Sequence, residues 1–419
     1  MLRRDSALVP ISILRWHLAA AKGFAIAFVI LAAWACTLNY LQPKGIDFVS
    51  FWSAARMAAG GDAASAYNIA AHRAVELSVA PVEGVLPFPY PPPFLVLAVP
   101  FGVAPFWMAL VAWLIVTGGL YVAASRSVAP CPYPLAHPSV VANALIGQNG
   151  FLTSAIFIFG ITSLQRRPLV AGAVLGSMVI KPQLALLLPV ALLAGGEWRA
   201  IGGAALSSTI LLLASYLLLG GEAYQGFFKI LPYYAEAMRA SRWPWNELAS
   251  PFAFARFLGV PQVGALSLHA LIGAVAVLLT IRAWALGLSR RVPILAASTM
   301  LIPPYLFTYD ALLLMVPLGW LIREQKRPFV IAFIWVCCLL PVLAYFNLFP
   351  GPNTIPIAAI LALWALHADE LQSGTRGARP DADQLPDNRR GCELRIVSRV
   401  LASGNRRNSS SFCSRHSGD

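Results

Sequence analysis

Charge is what this sequence has least of. Only 12% of its 419 residues are Asp, Glu, Lys or Arg, about half of the roughly 25% carried by soluble domains. With 58% of residues hydrophobic and a mean hydropathy of +0.68, there are too few polar groups to face water on all sides. That excludes an ordinary soluble enzyme and points to lipid-facing surface. Paired metal ligands are missing too. The six cysteines show no C-x-x-C spacing, and the six histidines no H-E-x-x-H, so neither a metal nor another cofactor is expected. No glycine-rich nucleotide loop is visible. The formal net charge of +13 comes without any nucleic-acid motif. Lys and Arg lie in short clusters between apolar stretches, the distribution of cytoplasmic loops and not of a basic groove.

What is present is a succession of apolar segments. Arg3, Arg4, Arg15 and Lys22 precede the first and place residues 1–21 in the cytoplasm. No small-residue cleavage signal follows promptly, so the first helix is read as retained. The spacing predicts spans at Lys22–Leu41, at a hairpin after Pro91 to Pro93 broken at Gly102 to Pro105, and at a helix from Gln148 to Arg167. Leu169 to Gly195 reads as two half-spans meeting at Lys181-Pro182-Gln183. Further spans are expected at Ala200–Leu219, Val263–Trp284, Val292–Tyr305, Ala311–Ile322, Phe329–Phe346 and Ile355–Leu366. The fold class is therefore an all-α polytopic membrane protein with about 12 membrane helices. A transmembrane domain is expected over 22–368, and residues 369–419, polar and aperiodic, form a cytoplasmic tail expected to be disordered. The first outer loop, 42–90, is long and structured. Phe48, Phe51, Trp52, Ala55 and Ala59 recur at helical spacing up to Gly60, which predicts a short amphipathic helix at the membrane surface.

Ionisable and polar residues are costly near lipid, so those on the outer face are the candidates for chemistry. Asp47 is compatible with a general base or with a cap on the helix after it. Lys181 suits a phosphate, or an ammonium reaching to the interface. Gln148 and Asn149 fit a polar headgroup or an N-cap. Tyr305, Tyr309 and Asp310 fit hydroxyl binding, or an aromatic belt with a cap. Arg56, His72, Arg73, Arg239 and Arg242 are compatible with an anionic lipid or with water, and Trp243 and Trp245 with interfacial anchoring. These residues alone do not separate an enzyme from a transporter.

The order of several short motifs does. Ile46-Asp47-Phe48 with Phe51-Trp52 and Ala54-Ala55-Arg56 is followed by Ala66-Tyr67 and Phe88-Pro89-Tyr90-Pro91-Pro92. Then come Gly147-Gln148-Asn149-Gly150, Arg167-Pro168, Ile180-Lys181-Pro182-Gln183, and Pro304-Tyr305 with Tyr309-Asp310. This series, over residues 20 to 365, resembles glycosyltransferase family 87, polyprenol-phosphate-mannose-dependent mannosyltransferases of the GT-C superfamily. The resemblance implies a GT-C-like bundle in the bacterial inner membrane with its site on the periplasmic face. It implies a polyprenyl-phosphate sugar donor, a lipid or glycan acceptor, contacts with membrane lipids and no nucleic acid. A hexose, mannose first, would be moved by inverting displacement. Asp47 matches the family's base, and Arg56, Tyr90, Gln148, Asn149, Lys181, Gln183, Tyr305, Tyr309 and Asp310 are the implied donor- or acceptor-binding residues. The competing reading is a transporter or flippase of lipid-linked saccharides. Broken helices paired between two halves would favour it, and only the break at Lys181-Pro182 is visible.

Overall fold

A computed structural model describes residues 11–41, 47–81, 84–239, 244–325 and 327–374. It is 76% helix, and among the described residues there is no strand beyond a single bridge between Leu248 and Phe307. Residues Met1–Glu370 form one compact unit. The tail assigned above to disorder lies, apart from the end of the last helix, outside the described residues, as do Arg242 and Trp243.

Helix α1 spans Ile11–Leu41, and the segment after it holds α2 (Phe48–Ala59), a 3-10 turn at Ala64–Tyr67 and α3 (Ile69–Leu77). The hairpin follows as α4 (Pro92–Gly102) and α5 (Phe106–Ser125), then short α6 (Tyr133–Ala136) and α7 (Ser139–Ile146), and α8 (Gly150–Ser163). The interrupted stretch is α9 (Pro168–Gly176), a 3-10 turn at Ser177–Ile180, α10 (Pro182–Ala185) and α11 (Leu188–Ala194). Helix α12 (Trp198–Arg239) kinks at Gly220. After it come α13 (Pro251–Phe257), α14 (Gln262–Ala285), α15 (Arg291–Thr299), a 3-10 turn at Thr308–Leu314, α16 (Met315–Glu324), α17 (Pro328–Ala344) and α18 (Ile355–Gly374).

Several expectations need correction. Among the described residues, Phe106–Ser125, Trp198–Ala237 and Gln262–Ala285 are long and apolar enough to cross a membrane. A count of twelve full crossings does not follow from these lengths. The segments expected to span at Val292–Tyr305 and Ala311–Ile322 are short and largely enclosed by protein. In α15, the 3-10 turn and α16, nearly every side chain from Pro293 to Ile322 that faces inward is enclosed by protein. Hydropathy alone does not distinguish a short helix buried in protein from one buried in lipid. Residues 221–239, expected to lie between the spans at Ala200–Leu219 and Val263–Trp284, continue α12 beyond its kink and pack on the Ala64–Tyr67 turn, with Phe227 against Tyr67 at 5.9 Å. The amphipathic helix has the expected bounds but does not lie on a surface: every residue from Phe48 to Ala55 is buried. The Trp52 indole donates to the Ala104 carbonyl at 3.0 Å, which anchors α2 beneath the α4–α5 hairpin.

An aromatic cluster packs α2 against the α4–α5 hairpin. Phe51 meets Tyr90, Phe94 and Trp113 edge-on at 5.2, 5.1 and 6.0 Å, and Tyr90 lies 4.6 Å from Phe94. Such pairs prefer tilted and edge-on geometry because their ring faces are electron-rich. The Tyr67 hydroxyl donates to the Tyr90 carbonyl at 3.0 Å and holds the Pro-rich turn in place.

Candidate active site

Asp47 stands at the start of α2, yet its side chain makes no capping bond to that helix. The carboxylate instead accepts from the Gln148 side-chain amide at 2.6 Å, so the expected capping bond is not made. The other end of Gln148 is also held: its Oε1 accepts from the Tyr90 hydroxyl at 3.2 Å and from the Asn149 amide at 3.1 Å. Burial pushes the Asp47 carboxyl up to about 6, while the Gln148 bond and the charge of Lys181 pull the other way. Desolvation wins because it disfavours the charged form more than one neutral donor favours it. The Tyr90 hydroxyl is likewise pushed up, first by burial and then by the charges of Asp310 and Asp47.

The turn carrying Gln148 and Asn149 depends on its two glycines. Gly147 has φ +67°, and a Cβ there would lie 2.6 Å from the Phe48 Cβ. The left-handed conformation ends α7 and turns the chain sharply into α8. At Gly150 a Cβ would meet the Tyr309 carbonyl at 2.4 Å and the Asn143 Oδ1 at 2.5 Å. That close approach brings the Thr308–Leu314 turn against the start of α8. Neither Gln148 nor Asn149 caps α8 by its side chain, so the capping alternative fails here also.

On the far side of Asn149 lies Lys181. The break after Ile180 leaves Lys181 at φ −145°, ψ 72°, outside helical geometry. Its side chain is only 2% exposed, so it does not reach out to the interface. The ammonium pairs with Asp310 at 2.5 Å, donates to Asn149 Oδ1 at 2.9 Å and sits 4.8 Å from the Tyr309 ring centre. The second Asp310 oxygen accepts from the Phe307 amide at 3.2 Å, so this aspartate both caps its turn and neutralises the lysine. The Tyr309 ring stacks on Phe307 at 5.3 Å.

The structure thus gathers Asp47, Tyr90, Gln148, Asn149, Lys181, Tyr309 and Asp310 into one polar cluster. It does not bring in the others. Arg56 is exposed, with its guanidinium on Trp52 and the Gly102 carbonyl. Tyr305 is 46% exposed. Gln183 is half-buried one turn after the break. His72 and Glu76 are buried and 3.4 Å apart, which removes His72 from any solvent-facing role. Two groups were not foreseen. Asn143 crosses to the Tyr309 carbonyl at 2.9 Å, and nothing in its apolar helix signals that. Glu247, in the stretch between α12 and α13, is pushed up to about 7 by burial and by the charge of Asp47. The rarity of carboxylates in this sequence was a sufficient signal for it.

The model of a known family, described as Glycosyltransferase family 87, matches residues 88–304, more than half of the chain. The chain belongs to glycosyltransferase family 87. It is therefore a glycosyltransferase of a membrane-associated family, which displaces the transporter reading. The family match contains Tyr90, Gln148, Asn149, Lys181 and Glu247. Asp47 precedes it and Asp310 follows it, so their membership of the site rests on the geometry above. No curated protein and no solved structure matches the chain significantly.

Proposed function

We propose that this family 87 enzyme transfers a hexose, mannose first, from a polyprenyl-phosphate donor to a hydroxyl of a lipid or glycan acceptor. The carrying observation is the placement of Asp47: a carboxylate turned away from its helix, held by Gln148, and raised to about 6 by burial. A base is most effective when its pKa lies near the working pH. In this reading Asp47 takes the proton of the acceptor hydroxyl. The oxygen attacks the anomeric carbon as the bond to phosphate breaks, and the bonding pair leaves with the polyprenyl phosphate. In-line attack inverts the anomeric centre. The leaving phosphate would lie toward Lys181 and Asn149. Lys181 pairs with Asp310 and donates to the Asn149 Oδ1, which leaves one N–H of the ammonium. An unpaired buried donor is costly unless a ligand completes it. The bundle is read as GT-C-like, with about 12 membrane helices if short and broken segments are counted, and with the site on the periplasmic face of the inner membrane. The positive clusters at Arg166-Arg167, Arg290-Arg291 and Arg323 support that orientation.

The test is transfer from radiolabelled polyprenyl-phosphate mannose in membranes, wild type beside Asp47→Asn at equal expression. Label in product for wild type and its loss in the variant is the expected result. Equal transfer by both would remove Asp47 from the chemistry. No transfer by wild type would discard this donor.

A further inference from the structure

Away from the polar cluster, α5 carries two adjacent glycines in its interior, Gly118 and Gly119. Glycine weakens a helix interior, because it loses the most backbone freedom on folding. The usual compensation, a neighbour too close for a side chain, is missing: a Cβ at either position would meet nothing within 4 Å. What the glycines leave open is a cavity of about 400 Å³, the size of a ligand cleft. Its walls are the Tyr121 and Phe151 rings, 5.6 Å apart, with Leu135 and Val140 from the α6–α7 stretch. The Tyr121 hydroxyl donates to the Pro134 carbonyl at 3.3 Å and holds α5 to α6. Gly119 and Ala123 on the rim are exposed, so the cavity opens on the flank of a helix long and apolar enough to cross a membrane.

One charged side chain lines this apolar cavity, that of Arg126 at the end of α5, about 10 Å along the axis from Gly119. Its guanidinium has no ion-pair partner among the described residues. Further cations gather there. The Ser127 hydroxyl donates to Thr162 at 3.3 Å, one turn before Arg166 and Arg167, and the Arg323 guanidinium donates to the Ser127 carbonyl at 2.9 Å. All four arginines are exposed. Glu324 follows Arg323, but the sequence has no Asp or Glu between Glu83 and Glu197. An apolar slot ending in a surplus of positive charge fits an acyl chain with an anionic head, whose phosphate pairs well with a guanidinium. A donor whose phosphate lies at Lys181 does not supply that head. Trp113, whose indole donates to the Gln148 carbonyl at 3.4 Å, marks the level of the candidate active site on α5, and Arg126 lies about 20 Å further along. We propose that this slot binds an anionic phospholipid, one acyl chain lying over Gly118 and Gly119 and the phosphate paired with Arg126. The proposal goes beyond the transfer reading and does not rest on it.

The test uses the full chain, delipidated in detergent, and equilibrium binding of radiolabelled dioleoyl phosphatidylglycerol, with no sugar present. Saturable binding of one lipid per chain is expected. Dioleoyl phosphatidylcholine and polyprenyl phosphate should each displace it at least about tenfold more weakly than unlabelled phosphatidylglycerol does. Arg126→Gln removes the charged pair, and Gly119→Leu fills the slot. Each should weaken binding about tenfold or more, the loss of one charge-assisted hydrogen bond or of the chain's seat. Gly119→Leu should keep or raise the melting temperature of the lipid-free protein, because leucine favours a helix over glycine, so its lost binding is not lost fold. Arg126 is exposed, and its variant should melt as wild type does. No saturable binding, or wild-type affinity in either variant, would overturn the assignment. Equal displacement by phosphatidylcholine would overturn the anionic head, and equal or better displacement by polyprenyl phosphate would give the slot to the carrier of the sugar donor instead.

Discussion

Asp47 works as a base only when ionised, and its carboxyl is raised to about 6. Activity measured as kcat/KM should therefore fall about tenfold per pH unit below that value and level off above it. The Gln148 bond favours the ionised form, so Gln148→Leu should move this limb to higher pH as well as lower the plateau. A pH profile of each enzyme checks both; an unmoved limb would mean that another group controls the rate. Asp47 also shows how residue type misleads. An aspartate just before a helix is ordinarily read as a cap, and here a glutamine 101 positions away decides otherwise.

At the scale of elements, the site depends on two interruptions and one close approach. The break after Ile180 lets Lys181 turn inward to Asp310. Removing one member of such a buried pair leaves an uncompensated charge, at a cost of about 3–5 kcal/mol. Lys181→Met should lower the melting temperature in detergent sharply, and adding Asp310→Leu should recover part of the loss. Additive losses would show that the pair is not coupled. Gly150→Ala would put a Cβ 2.4 Å from the Tyr309 carbonyl, separating α8 from the Thr308–Leu314 turn. Displacements of about 1 Å in an active site cost on the order of a hundredfold in rate. We expect a loss of that order in kcat with the protein still folded by circular dichroism, and near-normal turnover would mean that the approach is not critical.

At the scale of the molecule, the cluster sits at one end of the bundle, where α2, α8 and the turns at Lys181 and Thr308 converge. The orientation proposed from charge puts that end outside. A single cysteine at Ser78, which is exposed after α3, should react with a membrane-impermeant maleimide from the periplasm. One at Arg166, exposed after α8, should react only once the membrane is opened. The opposite pattern would invert the whole topology.

Composition by itself determined the class of this protein: too little charge for a soluble surface, and apolar segments broken at Gly102–Pro105 and Lys181-Pro182, where proline and glycine interrupt the helices whatever surrounds them. Those breaks, the bounds of α2 and the positions of Gln148 and Lys181 were readable because local chemistry fixes them. The number of crossings was not. The segments around α15 and α16 read as spans in the sequence, and only packing reveals that most of their side chains are enclosed by protein. Tertiary structure alone decided that Asp47 faces Gln148, that Lys181 is neutralised by Asp310, and that Arg56 and Tyr305 do not join them. Each of those pairings spans at least 100 residues or a choice of helix face. Such long-range contacts depend on how whole elements pack, which no local pattern in the sequence encodes.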